Sequence, residues 1–152
     1  MYIKDTITFE DVLLVPRFSS VESRSEINIG SKLSSKHSLQ LPIISSPMDT
    51  ISESPMAYAM DLAGGMSIIH RYNTIDEQCK HIECLPADAM VGAAIGMTGD
   101  YIDRACNLWD AGCRILCIDV AHGHHTLMRH SLKTLRNTFG TEITIIAGNV
   151  AT

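Results

Sequence analysis

The 152-residue sequence lacks most of what would carry a chain across a membrane, out of the cell or onto a polyanion. No apolar run approaches the roughly 20 residues that a bilayer requires. The start, Met1-Tyr2-Ile3-Lys4-Asp5, has no charged segment leading into an apolar one, so nothing directs the chain out of the cytoplasm. Clustered Lys and Arg are missing too. Twelve basic residues stand against 17 acidic ones, a formal net charge of −5, whereas nucleic-acid phosphates select for the opposite balance. The cysteines, Cys79, Cys84, Cys106, Cys113 and Cys117, are odd in number, lie in one stretch and form no paired CxxC. A disulfide framework or a structural zinc site fits that pattern poorly, and reduced thiols in a cytoplasmic protein fit it better. Cys106, Cys113 and Cys117 lie in apolar surroundings and are expected to be buried and inert. No nucleophilic triad and no paired-carboxylate pattern emerges.

What is present is alternation. Residues 1–40 are irregular, with Pro16, Ser19, Ser20, Ser23 and Ser25 before a polar Ser31 to Ser38 stretch, and read as an extended leader with short strands. From Leu41 onward, short apolar runs end at a small or polar residue and lead into helix-length segments, the pattern of a parallel α/β fold. Strands are expected at Leu41–Ser45, Met66–His70, Met90–Ile95, Ile115–Ile118 and Ile143–Ala147. The first helix is expected from Ser54 to Ala63, with Ser52 or Ser54 as cap and Gly64-Gly65 as stop, and the second from Ile75 to Cys84 behind Asn73 or Thr74. A third runs from about Asp100 to Ala111 and a fourth from about His125 to Phe139. Ile102, Ala105, Cys106 and Trp109 should turn toward the sheet, as should Leu127, Leu132 and Leu135.

Strand spacing of roughly 25 to 30 residues matches a (β/α)8 TIM barrel, which needs about 250 residues to close. An open doubly wound sheet is the alternative. The glycine-rich phosphate loop expected after its first strand is replaced by Ser45-Ser46-Pro47-Met48-Asp49, which favours the barrel. The chain therefore reads as α/β of the TIM-barrel family, with four βα units plus a fifth strand: residues 1–40 the leader, 41–152 the amino-terminal half of a barrel.

Functional residues of parallel folds collect at the carboxyl ends of strands. Those ends carry Ser45 to Thr50, His70-Arg71-Tyr72, Gly96-Met97-Thr98, Asp119 to His125 and Gly148-Asn149-Val150. Asp119, at the tip of an apolar strand, can accept hydrogen bonds from a ligand or cap the helix that follows. Ser45 and Ser46 can donate to a phosphate and Met48 can pack on a base, or the segment is a tight turn around Pro47. His122, His124 and His125 suggest a metal, but a matching Cys or carboxylate pair is missing, and loop histidines are the better reading.

Phe9-Glu10-Asp11-Val12-Leu13-Leu14-Val15-Pro16, Ser45 to Thr50, Gly65 to His70, Val91 to Gly96, Asp119 to Gly123 and Ala147 to Thr152 follow one another in order. By these segments the chain resembles the IMP dehydrogenase and GMP reductase family over almost its whole length. The resemblance implies a purine mononucleotide, IMP or GMP, over the barrel mouth, with hydride passing between base C2 and a nicotinamide cofactor after a cysteine attacks C2. By matching positions, Ser46, Met48 and Asn149 bind substrate, while Asp119, Val120, Ala121, Gly96 and Thr98 bind the cofactor, NAD or alternatively NADP. A monovalent cation, if used, has its site outside this segment. Two departures stand out. His81 to Asp88 runs straight into the third strand without the tandem regulatory domain of many IMP dehydrogenases, as in GMP reductases, and Ser23-Arg24-Ser25-Glu26 has a reductase flavour; the Ser46 to Thr50 and Ala121 to His124 segments look more like dehydrogenases. The chain also ends before the family's nucleophilic cysteine, so this segment is expected to hold no catalytic residue and to show no turnover alone. A fragment, one half of a split gene and a non-catalytic nucleotide-binding module are the readings of that end. The resemblance further implies a homotetramer at full length or pairing with a second half-barrel chain, and no nucleic-acid or membrane partner.

Overall fold

The computed structural model describes residues 7–151. Thus the reading of Met1 to Asp5, the first residues of the leader and Thr152 lie outside the described residues.

Ahead of the sheet, a 3-10 turn at Arg24–Glu26 is capped by the Ser23 hydroxyl, and two short strands, β1 (Ser31–Lys32) and β2 (Ser38–Leu39), pair antiparallel. Then come β3 (Ile44–Ser45), α1 (Ser54–Leu62), β4 (Met66–Ile69), α2 (Ile75–Glu83), β5 (Val91–Ile95), α3 (Tyr101–Asp110), β6 (Ile115–Asp119), α4 (Thr126–Phe139) and β7 (Thr144–Gly148). All five later strands are parallel and lie in chain order, β3-β4-β5-β6-β7. A doubly wound sheet reverses its order at a switch point. No reversal occurs among the described strands, and the curled sheet is that of a partial TIM barrel.

The two faces of the sheet separate by residue parity, as strand geometry requires. Ile69, Ala93, Ile95, Leu116 and Ile118 face the helices and pack with Ala57, Ile82, Ala105, Leu108, Met128 and Leu135. Met66, Ile68, Ala94, Ile115 and Cys117 form the other, concave face, together with Leu39 from β2. Gly92 lies on this face because a Cβ there would meet Ile115 O, Ile68 Cδ1 and Met66 Cε at 3.0 Å each. Continuing the parity of Ile115 and Cys117 carries Asp119 onto the concave face at the rim.

Helix boundaries follow local chemistry. The Thr74 hydroxyl accepts from Glu77 N–H while the Glu77 carboxylate accepts from Thr74 N–H, a capping box that starts α2. Three expectations need correction. Neither Ser52 nor Ser54 caps α1: Glu53 holds the cap position with Pro55 just inside, because the buried Ser52 hydroxyl is committed elsewhere. On α3 Ala105 is buried as expected and the half-buried Ile102 and Trp109 pack against the core, but Arg104 and Leu108 are more buried than either and Cys106 is only half-buried. Arg104 takes the inward place because its guanidinium donates to Gln78 Oε1 at 2.9 Å and Asn73 O at 3.1 Å. On α4, Leu135 is buried and Leu132 packs half-buried against the core as expected, but Leu127 is exposed and Met128 and Ser131 take the other buried places. There the Ser131 hydroxyl donates to Met97 O.

Candidate functional site

The rim at the carboxyl ends of β3 to β7 is built from two differently braced parts. On the β3 side, Ser45 donates to Ser67 Oγ at 2.6 Å and lies 2.8 Å from Ser52 Oγ, while Ser52, fully buried, donates to the Ser46 carbonyl. Backbone bonds from Ile51 and Ser52 to Met48 O close the loop above them. Ser45 therefore turns inward rather than toward a ligand, and Ser46 is the exposed hydroxyl. Glu53 then reaches two histidines: His70 Nε2 lies 3.3 Å and His81 Nε2 3.8 Å from its Oε1. Tyr72 N–H donates to His70 Nδ1 at 3.2 Å, which places the proton of that ring on Nε2, facing the carboxylate. Beside it, Arg71 Nη2 donates to the Asp119 carbonyl at 3.3 Å, and its guanidinium sits 5.8 Å from the Tyr72 ring centroid.

On the β6–β7 side the backbone makes the bonds. Val120 N–H donates to Gly148 O at 3.0 Å, Asn149 N–H to Val120 O at 2.7 Å and Gly123 N–H to Asn149 O at 2.8 Å. Asp119 is the last residue of β6, paired with Gly148, and α4 begins only at Thr126 behind His125. The cap reading of Asp119 fails on that separation. Its carboxylate, half-buried, has no hydrogen-bond partner among the described residues. His125 Nδ1 accepts from Leu127 N–H, so that histidine is a helix cap, and no group of three candidate metal ligands forms among the described residues.

Two of the hollows at this rim draw residues from more than one strand end. The larger, about 450 Å³, is lined by Ser46, Pro47, Met48, Asp49, Tyr72, Asp119 and Asn149. A smaller one of about 150 Å³ lies beside it against Arg71, Gly96, Met97, Thr98 and Val120, with Asp100 and Arg104. Of the residues singled out in the sequence, Ser46, Met48, Asn149 and Asp119 share the first, and Gly96, Thr98 and Val120 share the second. Ala121 is exposed and lines neither. Tyr72 and Arg71 escaped a role in the sequence, although an aromatic and a cation directly after a strand that ends at the rim were the available signal. A hollow of about 470 Å³ at the other end of the strands, against Leu85, Pro86, Met90 and Arg114, is at the end where parallel barrels place structural rather than catalytic residues.

No thiol among the described residues lines either rim hollow. Burial pushes the Cys113 thiol up to about 11, and Sγ donates to Ile115 O. Cys117, below Asp119 on the concave face, is pushed up to about 11 by burial and then by that carboxylate. Cys106 is half-buried rather than buried. A neutral thiol is a poor nucleophile.

A family model described as the IMP dehydrogenase / GMP reductase domain matches residues 6–152. The chain belongs to this family. It is similar to an inosine-5'-monophosphate dehydrogenase of Borreliella burgdorferi, 32% identical over 98% of this chain and 49% of that protein. A protein of the same name from Nitrosopumilus maritimus is 48% identical over 54% of this chain and 17% of its own length. A GMP reductase of Leishmania donovani is 42% identical over 51% of this chain and 16% of its own length. The chain thus spans about half the length, or less, of these members of the IMP dehydrogenase / GMP reductase family. Its fold is the one expected from the family resemblance.

Proposed function

We propose that residues 41–152 are the amino-terminal half of the barrel of a purine nucleotide oxidoreductase, preceded by a leader at 1–40, and that the reaction is NAD-dependent oxidation of IMP to XMP in the cytoplasm. The observation that carries this reading is the convergence of Ser46, Met48, Asp119 and Asn149, from three separate segments of the chain, on one 450 Å³ hollow. Such a convergence of a few polar groups with an apolar side chain suits a nucleotide.

In this reading the exposed Ser46 hydroxyl donates to the nucleotide phosphate, Met48 packs on the base and Asn149 lies near the reacting carbon. The residues also fit a nicotinamide cofactor. The unpartnered Asp119 carboxylate can accept from ribose hydroxyls, and Gly96, Thr98 and Val120 form the adjoining recess. When bound, NAD supplies a two-electron hydride acceptor. Asp119 orients it, the backbone ladder of Val120 and Asn149 holds Asp119 and Asn149 in register, and Ala121 extends the cofactor side as an exposed residue. In this reading the nucleophilic cysteine is supplied by another segment, since none of Cys79, Cys84, Cys106, Cys113 and Cys117 lines either rim hollow.

A second reading, NADPH-dependent reduction of GMP, is favoured by one feature. Only the short segment 84–90 separates α2 from β5, without an inserted domain. Assay of the complete polypeptide with IMP plus NAD against GMP plus NADPH separates the two. NADH formation from IMP supports the dehydrogenase, and NADPH consumption with GMP replaces it with the reductase. Binding of either nucleotide with neither turnover leaves the non-catalytic module. The 152-residue chain alone is expected to form no NADH from IMP, and detectable formation would overturn the assignment of the nucleophile to another segment.

A further inference from the structure

The rim holds one large aromatic with no assigned task. Tyr72 is 66% exposed, yet it is far from loose. Its backbone N–H donates to His70 Nδ1, its ring is nearly parallel to the His70 ring (24°, centroids 6.3 Å apart), and the Arg71 guanidinium lies 5.8 Å from its centroid. His70 is itself 2% exposed and held by Glu53 through Nε2. Glu53 is fixed in turn, since it starts α1 and also faces His81, whose Nδ1 lies 3.2 Å from the Ser54 hydroxyl. Behind His70 its carbonyl accepts from the buried Gln78 amide at 2.9 Å.

An exposed aromatic ring loses apolar burial, and bracing it from below by buried polar groups adds an ordering cost that folding alone does not require. The bracing makes sense if the free face meets a ligand. Tyr72 lines the same hollow as Ser46, Met48 and Asn149, whereas its neighbour Arg71 lines the smaller recess instead. The Arg71–Tyr72 pair therefore divides the two hollows, one side chain on each side.

We propose that Tyr72 is a base-stacking contact for the purine nucleotide, and that His70, held by Glu53, is the residue that positions it. This rests on the reading of the larger hollow as the nucleotide site and assigns that site a further wall. Tyr72 offers a π face to the base. His70 touches no ligand and acts through the Tyr72 backbone.

The test is equilibrium binding of IMP, and separately of NAD, to the complete polypeptide by calorimetry. Tyr72→Leu weakens IMP binding about tenfold, the size expected for removing one base–aromatic stack, and changes NAD binding less than about twofold. Tyr72→Phe restores IMP binding, because the ring and not the hydroxyl carries the contact. His70→Leu weakens IMP binding to a similar extent, and His70→Asn, whose Oδ1 can still accept from Tyr72 N–H, recovers most of it. Tyr72→Leu leaves the melting temperature unchanged, as befits an exposed side chain. Unchanged IMP binding in Tyr72→Leu, or a larger loss of NAD than of IMP, overturns the inference while leaving the nucleotide site in place. Failure of the unmodified protein to bind IMP or GMP overturns the site reading itself, and the inference with it.

Discussion

The two sides of the rim are braced by different means. Around β3 and β4 the loops are cross-braced by side chains: three serines beneath Ser46, and Glu53 between two histidines beneath Tyr72. Around β6 and β7 the braces are peptide groups, with Val120, Gly123 and Asn149 exchanging N–H···O bonds across the gap. Side-chain braces depend on residue identity and can be removed one at a time. Peptide braces survive most substitutions but demand that backbones approach closely, which glycine permits.

That contrast can be attacked from the peptide side first. A Cβ at Gly123 would lie 2.7 Å from Asn149 O, so Gly123→Ala must push the two loops apart. We expect a loss of about 2–3 kcal/mol in urea unfolding, with IMP binding lost in parallel. Gly148→Ala, whose Cβ meets nothing within 4 Å, is the control and should cost less than about 0.5 kcal/mol. Equal effects of the two would sink the close-approach argument.

Next come two buried thiols, Cys113 just ahead of β6 in the helix-side core and Cys117 on the concave face of β6. Cys113 and Cys117 titrate at about 11 in the fold against an ordinary value of 9.0. Below pH 9 both states keep the proton and these thiols add no pH dependence. From pH 9 to 11 the unfolded chain releases protons that the fold retains, so stability falls as pH rises, on the order of 2 kcal/mol per thiol. Urea midpoints at pH 8, 9 and 10 check this, and Cys117→Ala should flatten the decline. At pH 8, a thiol reagent should label exposed Cys84 well before Cys113 or Cys117.

On the side-chain-braced part, Ser52→Ala leaves the Ser46 carbonyl and Ser45 hydroxyl short of a buried partner. A loss of about 1–2 kcal/mol is expected, together with weaker IMP binding through a loosened loop. The smallest effect belongs to His125→Ala, which removes the α4 cap at about 1 kcal/mol. It should leave IMP affinity unchanged, since His125 lines neither hollow. A drop in affinity there would mean that the helix start reaches the site.

How far this rim was legible in the sequence divides along the same line. The strands announced themselves as apolar runs, and reading off their ends pointed to Ser46, Met48 and Asp119, with Asn149 added by the family resemblance; these four line one hollow because parallel strands bring such ends together whatever the helices do. Helix faces were read less well. Arg104 and Ser131 are polar yet buried, and a pattern that counts apolar residues cannot see a buried guanidinium satisfied by Gln78 and Asn73. Ser45 looked like a ligand donor because its partners, Ser52 and Ser67, are 7 and 22 residues away in the chain. Tyr72 was overlooked for a related reason: its bracing comes through Glu53 and His70, and neither spacing nor composition relates the three.

The order of the sheet has a consequence for how the chain acquires its structure. Every parallel pairing among the described strands joins consecutive strands of the chain, and the paired residues are about thirty positions apart or fewer. No described strand must wait for a distant one before it can add to the sheet. Assembly can therefore advance from β3 toward β7 one βα unit at a time, keeping pace with synthesis, with each new helix covering the outer face of the strands just laid down. On that route the serine and histidine braces, which need the chain only as far as His81, can close before β6 and β7 join, and the peptide ladder between Val120, Gly148 and Asn149 requires β7 in place.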